Sequence, residues 1–428
     1  MSATATVADP PVHLSGTFEA RCRQARCRIT GGVGLEPVLD LGPMPLTNAL
    51  VSEPQAPPDK RYPLELAFSP HCGLLQIIET VPAAELFCHD YPYYSSVSET
   101  LLRHARDNAL ELIEGRGLGA GSLVVELASN DGYLLRNFVE RGVPVLGIDP
   151  AGGPAQAAER AGVATRVAFF TRELAAQLRR AGRAADVIIA NNVLAHVEDT
   201  NGFVAGIRTL LRDDGVAVIE VPYVRDMVDQ CEYDTIYHEH LCYFSVTALD
   251  VLFRQQGLFL NEARRLAIHG GSLRLFVEPR ERVSRSVRHL LADEHCDGLD
   301  RLAYYADFGR RVRALRGKLR SLLAELKREG RRIAGYGAAA KGVIQLNYCG
   351  IDGATLDYVV DRNPHKHGRC IPGARVPIHA PERLLQDPPD YLLILAWNFK
   401  DEIMAQQAEF SRRGGRFIVP VPEPAVLD

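Results

Sequence analysis

The strongest constraint on the fold is an alternation running from residue 123 to residue 222. Five short apolar segments, LVVELA (123–128), VPVLGID (143–149), VATRVAFF (163–170), ADVIIANN (185–192) and GVAVIEVP (215–222), are separated by Ala- and Leu-rich amphipathic stretches. Apolar runs of this length suit strands covered on both faces, and helix-length connections let each strand return parallel to the last. The pattern predicts a doubly wound α/β sheet. Two further runs, LFLNEARRL (258–266) and SLRLFVE (272–278), follow with Gly270-Gly271 between them, which predicts an antiparallel pair.

Five parallel strands closed by such a pair are the usual order of a class I methyltransferase sheet; a plain dinucleotide-binding half would continue with another helix. The chain has 428 residues, which at roughly 150 per domain suggests about three domains. We divide it into a loose tail (1–20), a loop-rich N-terminal unit (21–115), the central sheet (116–284) and a C-terminal unit (285–428). That last unit opens with Arg-, Leu- and Glu-rich helical sequence and continues as a smaller α/β sheet: RRIAGYGAAAKG (331–342), LDYVVD (356–361), YLLILAW (391–397) and RFIVPVP (416–422). Forty-nine basic and 53 acidic residues leave a net charge of −4, which argues against a nucleic-acid polymer as partner. No apolar run approaches the roughly 20 residues of a membrane span, and the start lacks the charged and apolar regions of an export signal. With nine scattered cysteines, the expectation is a cytoplasmic protein with reduced thiols.

The turn after the first central strand reads VVELASNDGYLLRNF. Gly132 permits a tight strand-to-helix turn, Glu126 can accept from a ligand ammonium, and Asp149, about 20 residues on, sits where a carboxylate commonly holds ribose hydroxyls. A nicotinamide cofactor would want G-x-G-x-x-G here. Ser129, Asn130 and Asp131 are polar or acidic instead and would repel a pyrophosphate. They suit S-adenosylmethionine, which carries a sulfonium, an ammonium and no phosphate. Phe169 and Phe170, expected to end the third strand, are candidates to flank adenine, with core packing as the alternative. Asn191 and Asn192 end the fourth strand and His196 follows, on the side where parallel strands line a ligand crevice. We assign Asn191 to the cofactor and Asn192 to the substrate.

Just past the fifth strand comes DTIYHEHLCY (234–243). Histidine is the natural base near neutral pH, and a carboxylate can orient or polarise it. In a helix, Tyr237 and His240 would share a face. The candidate catalytic set is His240, Tyr237, Glu239 and His196. Chelation by the His-x-His pair is a weak alternative, and a solvated polar loop is the bland one. His269, beside the glycine pair, is a substrate candidate or part of a plain hairpin turn. The C-terminal AGYGAAAKG has the spacing G-x-G-x4-G, a departure from the dinucleotide fingerprint, yet a glycine turn at a helix start with a nearby lysine suits phosphate.

The ordered motifs LDLGPMPLTN, YPLELAF, CGLLQ, DYPYYSS, VVELASNDGYLL, NNVLAHV, EVPY, DTIYHEHLCYFS, HGGSLR and GYGAAAKG together resemble the deoxysugar C-methyltransferase family, over nearly the whole chain from Cys22 to Pro422. The resemblance implies a small zinc-binding N-terminal domain, a central S-adenosylmethionine domain and a C-terminal Rossmann-like domain. It implies methylation of carbon 3 of a 4-keto deoxysugar carried on a nucleotide diphosphate such as dTDP. It makes His240 the base, and sets Tyr237, Glu239 and His196 around the sugar. The DYPYYSS segment becomes a cover, with Tyr91, Tyr93 or Tyr94 reaching cofactor or sugar. The C-terminal domain helps to hold the nucleotide diphosphate, with Lys341 and Asn398 as candidates. The family's zinc site uses two C-x-x-C pairs. Here they read Cys27-Arg-Ile-Thr30 and Ser69-Pro-His-Cys72, so each has lost a cysteine. The alternatives are a metal-free module or a rearranged site of Cys22, Cys27, His71 and Cys72. Competing readings of the whole are an O- or N-methyltransferase and a non-catalytic sugar- or cofactor-binding relative. The sequence leaves the oligomeric state open.

Overall fold

The computed structural model describes residues 16–55, 57–86 and 94–427, and of Ala84 and His269 the backbone alone. Tyr91 and Tyr93, expected over the site, lie outside the described residues.

The central sheet has seven strands. In spatial order they are Phe259–Leu266, Ser272–Glu278, Leu211–Pro222, Ala185–Asn191, Val124–Leu127, Val145–Asp149 and Thr165–Val167. Ser272–Glu278 is antiparallel to both neighbours and the other pairings are parallel. This is the order expected of a class I methyltransferase sheet. The middle strands are apolar on both faces because helices cover both, and Val124, Val125, Val187, Ile188 and Ile189 are fully buried. Their carboxyl ends, at Leu127, Asp149, Asn191 and Pro222, lie at one edge of the sheet and define the crevice. The third strand is shorter than expected. It ends at Val167, so Phe169 and Phe170 lie in the connection beyond it, at the sheet's outer edge where fewer neighbours enforce pairing.

The C-terminal sheet runs Ile378–His379, Val359–Val360, Ile333–Tyr336, Tyr391–Ile394, Arg416–Val419 and Ala425–Leu427, parallel except for the last strand. The helix Phe308–Arg328 carries a stripe at Val312, Leu315, Leu319, Leu323 and Leu326, all buried. The stripe is spent within the chain, where the helix packs against the N-terminal strand Glu36–Pro45 and the C-terminal helix Ala340–Cys349.

The N-terminal unit departs most from its linear reading. A helix, Phe18–Gln24, crosses the boundary set at residue 20, started by the Thr17 hydroxyl, which accepts from the Ala20 N–H. The sheet of this unit has strands Glu36–Pro45, Arg61–Phe68 and Leu75–Ile77, and its fourth strand is Cys242–Tyr243, from the central domain. That fourth strand begins two residues after His240.

Candidate functional site

The cofactor turn is held in a backbone conformation that few sequences accept. Ala128 (φ 56°), Asn130 (φ 50°) and Gly132 (φ 75°) all lie in the left-handed region. A Cβ on Gly132 would stand 3.0 Å from Val163 and 3.1 Å from Ala158, so glycine is required by packing as well as by φ. Asp149 fixes the turn by accepting from the Asn130 N–H and the Ala151 N–H, both at 2.8 Å. Burial pushes its carboxyl upward, and those two donors oppose the push. Burial, with the nearby Asp149 and Asp131 charges, holds Glu126 well above the usual carboxylate range. Glu126 Oε2, Ser129 Oγ, Asp131 Oδ1 and Asn191 Oδ1 are buried with no hydrogen-bond partner among the described residues. Buried acceptors without donors are costly until a ligand supplies them, and a neighbouring cation favours the charged carboxylate that burial disfavours. The set therefore fits the ammonium and hydroxyls of S-adenosylmethionine and does not fit a pyrophosphate. Phe169 is 48% exposed and Phe170 half-buried against Phe203, and both line the same cavity.

Two residues on this floor were not singled out from the sequence. The backbone N–H groups of Ser95 and Ser96 donate to Asn130 Oδ1 (2.9 Å) and Asp131 Oδ2 (3.2 Å), so the end of the DYPYYSS segment docks on the cofactor turn. The SS dipeptide carried no signal for this, because backbone donors are common to every residue. Tyr94 stacks on His365 of the C-terminal domain at 4.8 Å.

The segment 237–240 is a tight turn and not the helix that would have put Tyr237 and His240 on one face. The His240 N–H donates to the Tyr237 carbonyl at 2.8 Å. The turn still joins the two side chains, with the Tyr237 hydroxyl 2.7 Å from His240 Nε2. His240 Nδ1 is 2.9 Å from the Thr235 carbonyl, which can only accept. Nδ1 therefore carries the proton and Nε2 is the basic nitrogen. His196, on the short 3-10 turn Leu194–His196, stands edge-on to His240 at 4.7 Å, and burial pushes its pKa down to about 4. It is neutral at physiological pH. Glu239 is buried, and its Oε1 accepts from Thr47 Oγ1 (3.0 Å) and Asn48 Nδ2 (2.7 Å). His238 points the other way: its Nε2 is 3.1 Å from the Pro63 carbonyl in the N-terminal sheet. The His-x-His pair is thus split between two environments. Among the described residues no group of three His, Cys, Asp or Glu side chains could hold a metal ion.

A single cavity of about 1280 Å³ joins these parts. Its wall includes Asn130 and Asp149 from the cofactor turn, Asn191, Asn192 and His196 from the fourth strand's end, and Tyr237, Glu239 and His240. On the far side are Lys341, Lys366, Asn398 and Phe399 from the C-terminal domain. Lys341 Nζ is buried 4.3 Å above the Trp397 ring and makes no hydrogen bond among the described residues. The helix Ala340–Cys349 starts beside it without a side-chain cap. The glycine turn itself is already satisfied, since Asp361 Oδ2 accepts from the Ala338 N–H and Lys366 Nζ donates to the Ala338 carbonyl, both at 2.8 Å. His269 belongs, by its backbone, to the turn between the last two central strands.

The zinc-like corner does assemble its four positions. Cys27 Sγ and Cys72 Sγ are 3.5 Å apart, the Thr30 N–H points at Cys27 Sγ (3.5 Å), and Ser69 Oγ is 3.9 Å from Cys72 Sγ. The rearranged site is corrected. His71 is exposed with Nε2 2.8 Å from the Val33 carbonyl, and Cys22 is buried on the first helix, where burial raises its thiol to about 12. Two thiols and two neutral hydroxyls are a poor donor set for zinc.

Three family profiles match the chain. They are described as a "Putative zinc binding domain" (residues 27–87), a "Methyltransferase domain" (99–262) and a "C-methyltransferase C-terminal domain" (267–422). The C-methyltransferase NovU of Streptomyces niveus is 35% identical over 405 residues, covering 94% of this chain and 96% of that protein. Among solved structures, the Burkholderia thailandensis 1,6-didemethyltoxoflavin-N1-methyltransferase with bound S-adenosylhomocysteine is 19% identical, covering 49% of this chain and 96% of its own, with a TM-score of 0.35. Magnesium protoporphyrin IX methyltransferase from Synechocystis with bound S-adenosylmethionine is 14% identical, covering 41% and 79%, with a TM-score of 0.32.

Proposed function

The chain belongs to the C-methyltransferase family and is an S-adenosylmethionine-dependent C-methyltransferase, and from that premise we propose that it methylates carbon 3 of a 4-keto deoxysugar carried on a nucleotide diphosphate such as dTDP. The observation that carries the reading is the continuity of the cavity from the acidic cofactor turn, past the Tyr237–His240 pair, to the buried Lys341 ammonium. A ketone at C4 acidifies the C3–H. That proton passes to Nε2 of His240, whose tautomer the Thr235 carbonyl fixes, and the electron pair moves to the ketone oxygen. S-adenosylmethionine, when bound, would supply the electrophilic methyl group to the enolate carbon, its S–CH3 bond breaking with the electron pair kept on the sulfur of S-adenosylhomocysteine. Charge develops on oxygen, so a donor there matters as much as the base. The Tyr237 hydroxyl turns from Nε2 to that oxygen as the sugar enters, and neutral His196 is a second donor. Glu239 accepts from a sugar hydroxyl, and Asn192 is at the sugar's rim. Glu126, Ser129, Asp131, Asn191 and Asp149 hold the cofactor, with Phe169 and Phe170 at its adenine end. Lys341, the uncapped start of its helix and Asn398 receive the diphosphate.

Incubation with S-adenosylmethionine and a 4-keto-6-deoxy nucleotide sugar in deuterium oxide tests the reading. The expected product carries a new C-methyl at carbon 3. His240→Asn is expected to lose exchange at C3 by roughly 100-fold or more while binding the cofactor as before. Undiminished exchange in that variant removes His240 from the role of base, and an O- or N-methyl product excludes the sugar-carbon reading.

A further inference from the structure

We infer that Thr47 and Asn48, in the N-terminal unit, are positioning residues that set the carboxylate of Glu239 for work on the sugar. The inference rests on the reading of the cavity as a sugar site.

Thr47 and Asn48 follow the strand Glu36–Pro45 and are 192 and 191 positions from Glu239 in sequence. Both donate to the same oxygen: Thr47 Oγ1 at 3.0 Å and Asn48 Nδ2 at 2.7 Å from Oε1. Thr47 is 4% exposed and Glu239 3%, whereas Asn48 reaches the cavity wall beside Glu239. A carboxylate so deeply buried is costly unless donors face it, and two donors on one oxygen fix its rotamer as well as its charge. The rest of the segment is moored to the same unit. His238 reaches the Pro63 carbonyl, the Ile77 N–H donates to the Leu241 carbonyl at 3.1 Å, and Cys242–Tyr243 pairs with Leu75–Gln76. From the other side the Leu241 N–H donates to the Ala195 carbonyl at 2.7 Å, next to His196. The segment is thus clamped between the N-terminal sheet and the end of the fourth central strand. Within that clamp Thr47 and Asn48 bond the side chain of a cavity-lining acid. The N-terminal unit therefore does more than cover the site: it sets the direction in which one of the site's acids points.

A double-mutant cycle tests this. Thr47→Val and Asn48→Ala are each expected to lower kcat for the keto sugar roughly 10-fold, with affinity for S-adenosylmethionine unchanged by calorimetry. Thr47→Ser, which keeps the hydroxyl, is expected to restore the rate. In a Glu239→Gln background, Thr47→Val is expected to change kcat by less than about 2-fold, because residues that act through one group are not additive. Wild-type kcat in Thr47→Val and Asn48→Ala, or an equal loss in the Glu239→Gln background, overturns the inference while the sugar reading stands. No turnover of a panel of keto sugars by the wild-type protein overturns the sugar reading, and this inference with it.

Discussion

At the scale of single residues, the site is a set of buried polar groups whose states are fixed by a few contacts. His240 owes its basic Nε2 to one carbonyl, and Glu239 its rotamer to two donors from another unit. Glu232 is a case where burial wins. It is 3% exposed, and burial pushes its pKa to about 8 despite the attraction of Lys341. An unfolded glutamate loses its proton near pH 4.3, whereas folded Glu232 keeps its proton to about pH 8. Across that window the unfolded chain binds fewer protons, so stability falls as pH rises through it. Glu232→Gln is expected to remove on the order of 3 kcal/mol of that fall. Urea unfolding of both proteins at pH 5 and pH 8 measures it, and equal losses would exclude Glu232 as the source. The consecutive YHEH polar groups were visible in the sequence. Thr47 and Asn48 were not, because a threonine and an asparagine after a strand look like any turn until the partner carboxylate is in view.

At the scale of elements, what could be read was what repeats locally. Strand after strand of Val, Ile and Ala in the central sheet follows from burial on both faces, and the Gly270-Gly271 hairpin follows from backbone freedom. The errors fall where tertiary contact decides a boundary. The third strand stops short at an edge, and Cys242–Tyr243 becomes a strand of a distant sheet because Leu75 and Gln76 offer it unpaired backbone. The helix Val246–Gln255 shows the same dependence. Its start is held by Glu294, which accepts from the Val246 N–H (2.7 Å), the Thr247 N–H (2.8 Å), the Thr247 hydroxyl (2.6 Å) and the Tyr223 hydroxyl (2.8 Å). Glu294 is fully buried and lies on the helix Arg285–Asp297, so one carboxylate ties the linker to the central domain. Glu294→Ala strands four donors and is expected to destabilise by roughly 3–5 kcal/mol. A midpoint within experimental error of the wild type would show that water reaches the vacated site.

At the scale of the whole molecule, three units share one cavity, and the N-terminal unit is bound into it by a strand from the central domain. Its zinc-like corner bears on that arrangement. Cys27, Thr30, Ser69 and Cys72 occupy the four positions, but only the cysteines can become charged ligands. Below them Leu64, Leu66, Phe68 and Leu75 are all buried in the core of the unit. Elemental analysis is expected to find no stoichiometric zinc in the wild-type protein, and a chelator is expected to leave its unfolding midpoint unchanged. Thr30→Cys/Ser69→Cys is expected to bind about one zinc per chain and to unfold at lower temperature when the metal is removed. One zinc per wild-type chain would show that hydroxyl or water ligands suffice here.

The sequence by itself determined the central sheet, the acidic cofactor turn and the polar cluster of residues 237–240, because periodicity, glycine placement and residue chemistry act over a few neighbouring positions. Only the tertiary structure decided which of those groups face one another. The split of His238 from His240, the Glu239 clamp, the docking of Ser95 and Ser96 on the cofactor turn, and the failure of Cys22 and His71 to join Cys27 and Cys72 all depend on contacts between distant segments. Such contacts are fixed by how buried surfaces and unpaired backbone groups find partners across the fold, and no local pattern encodes them.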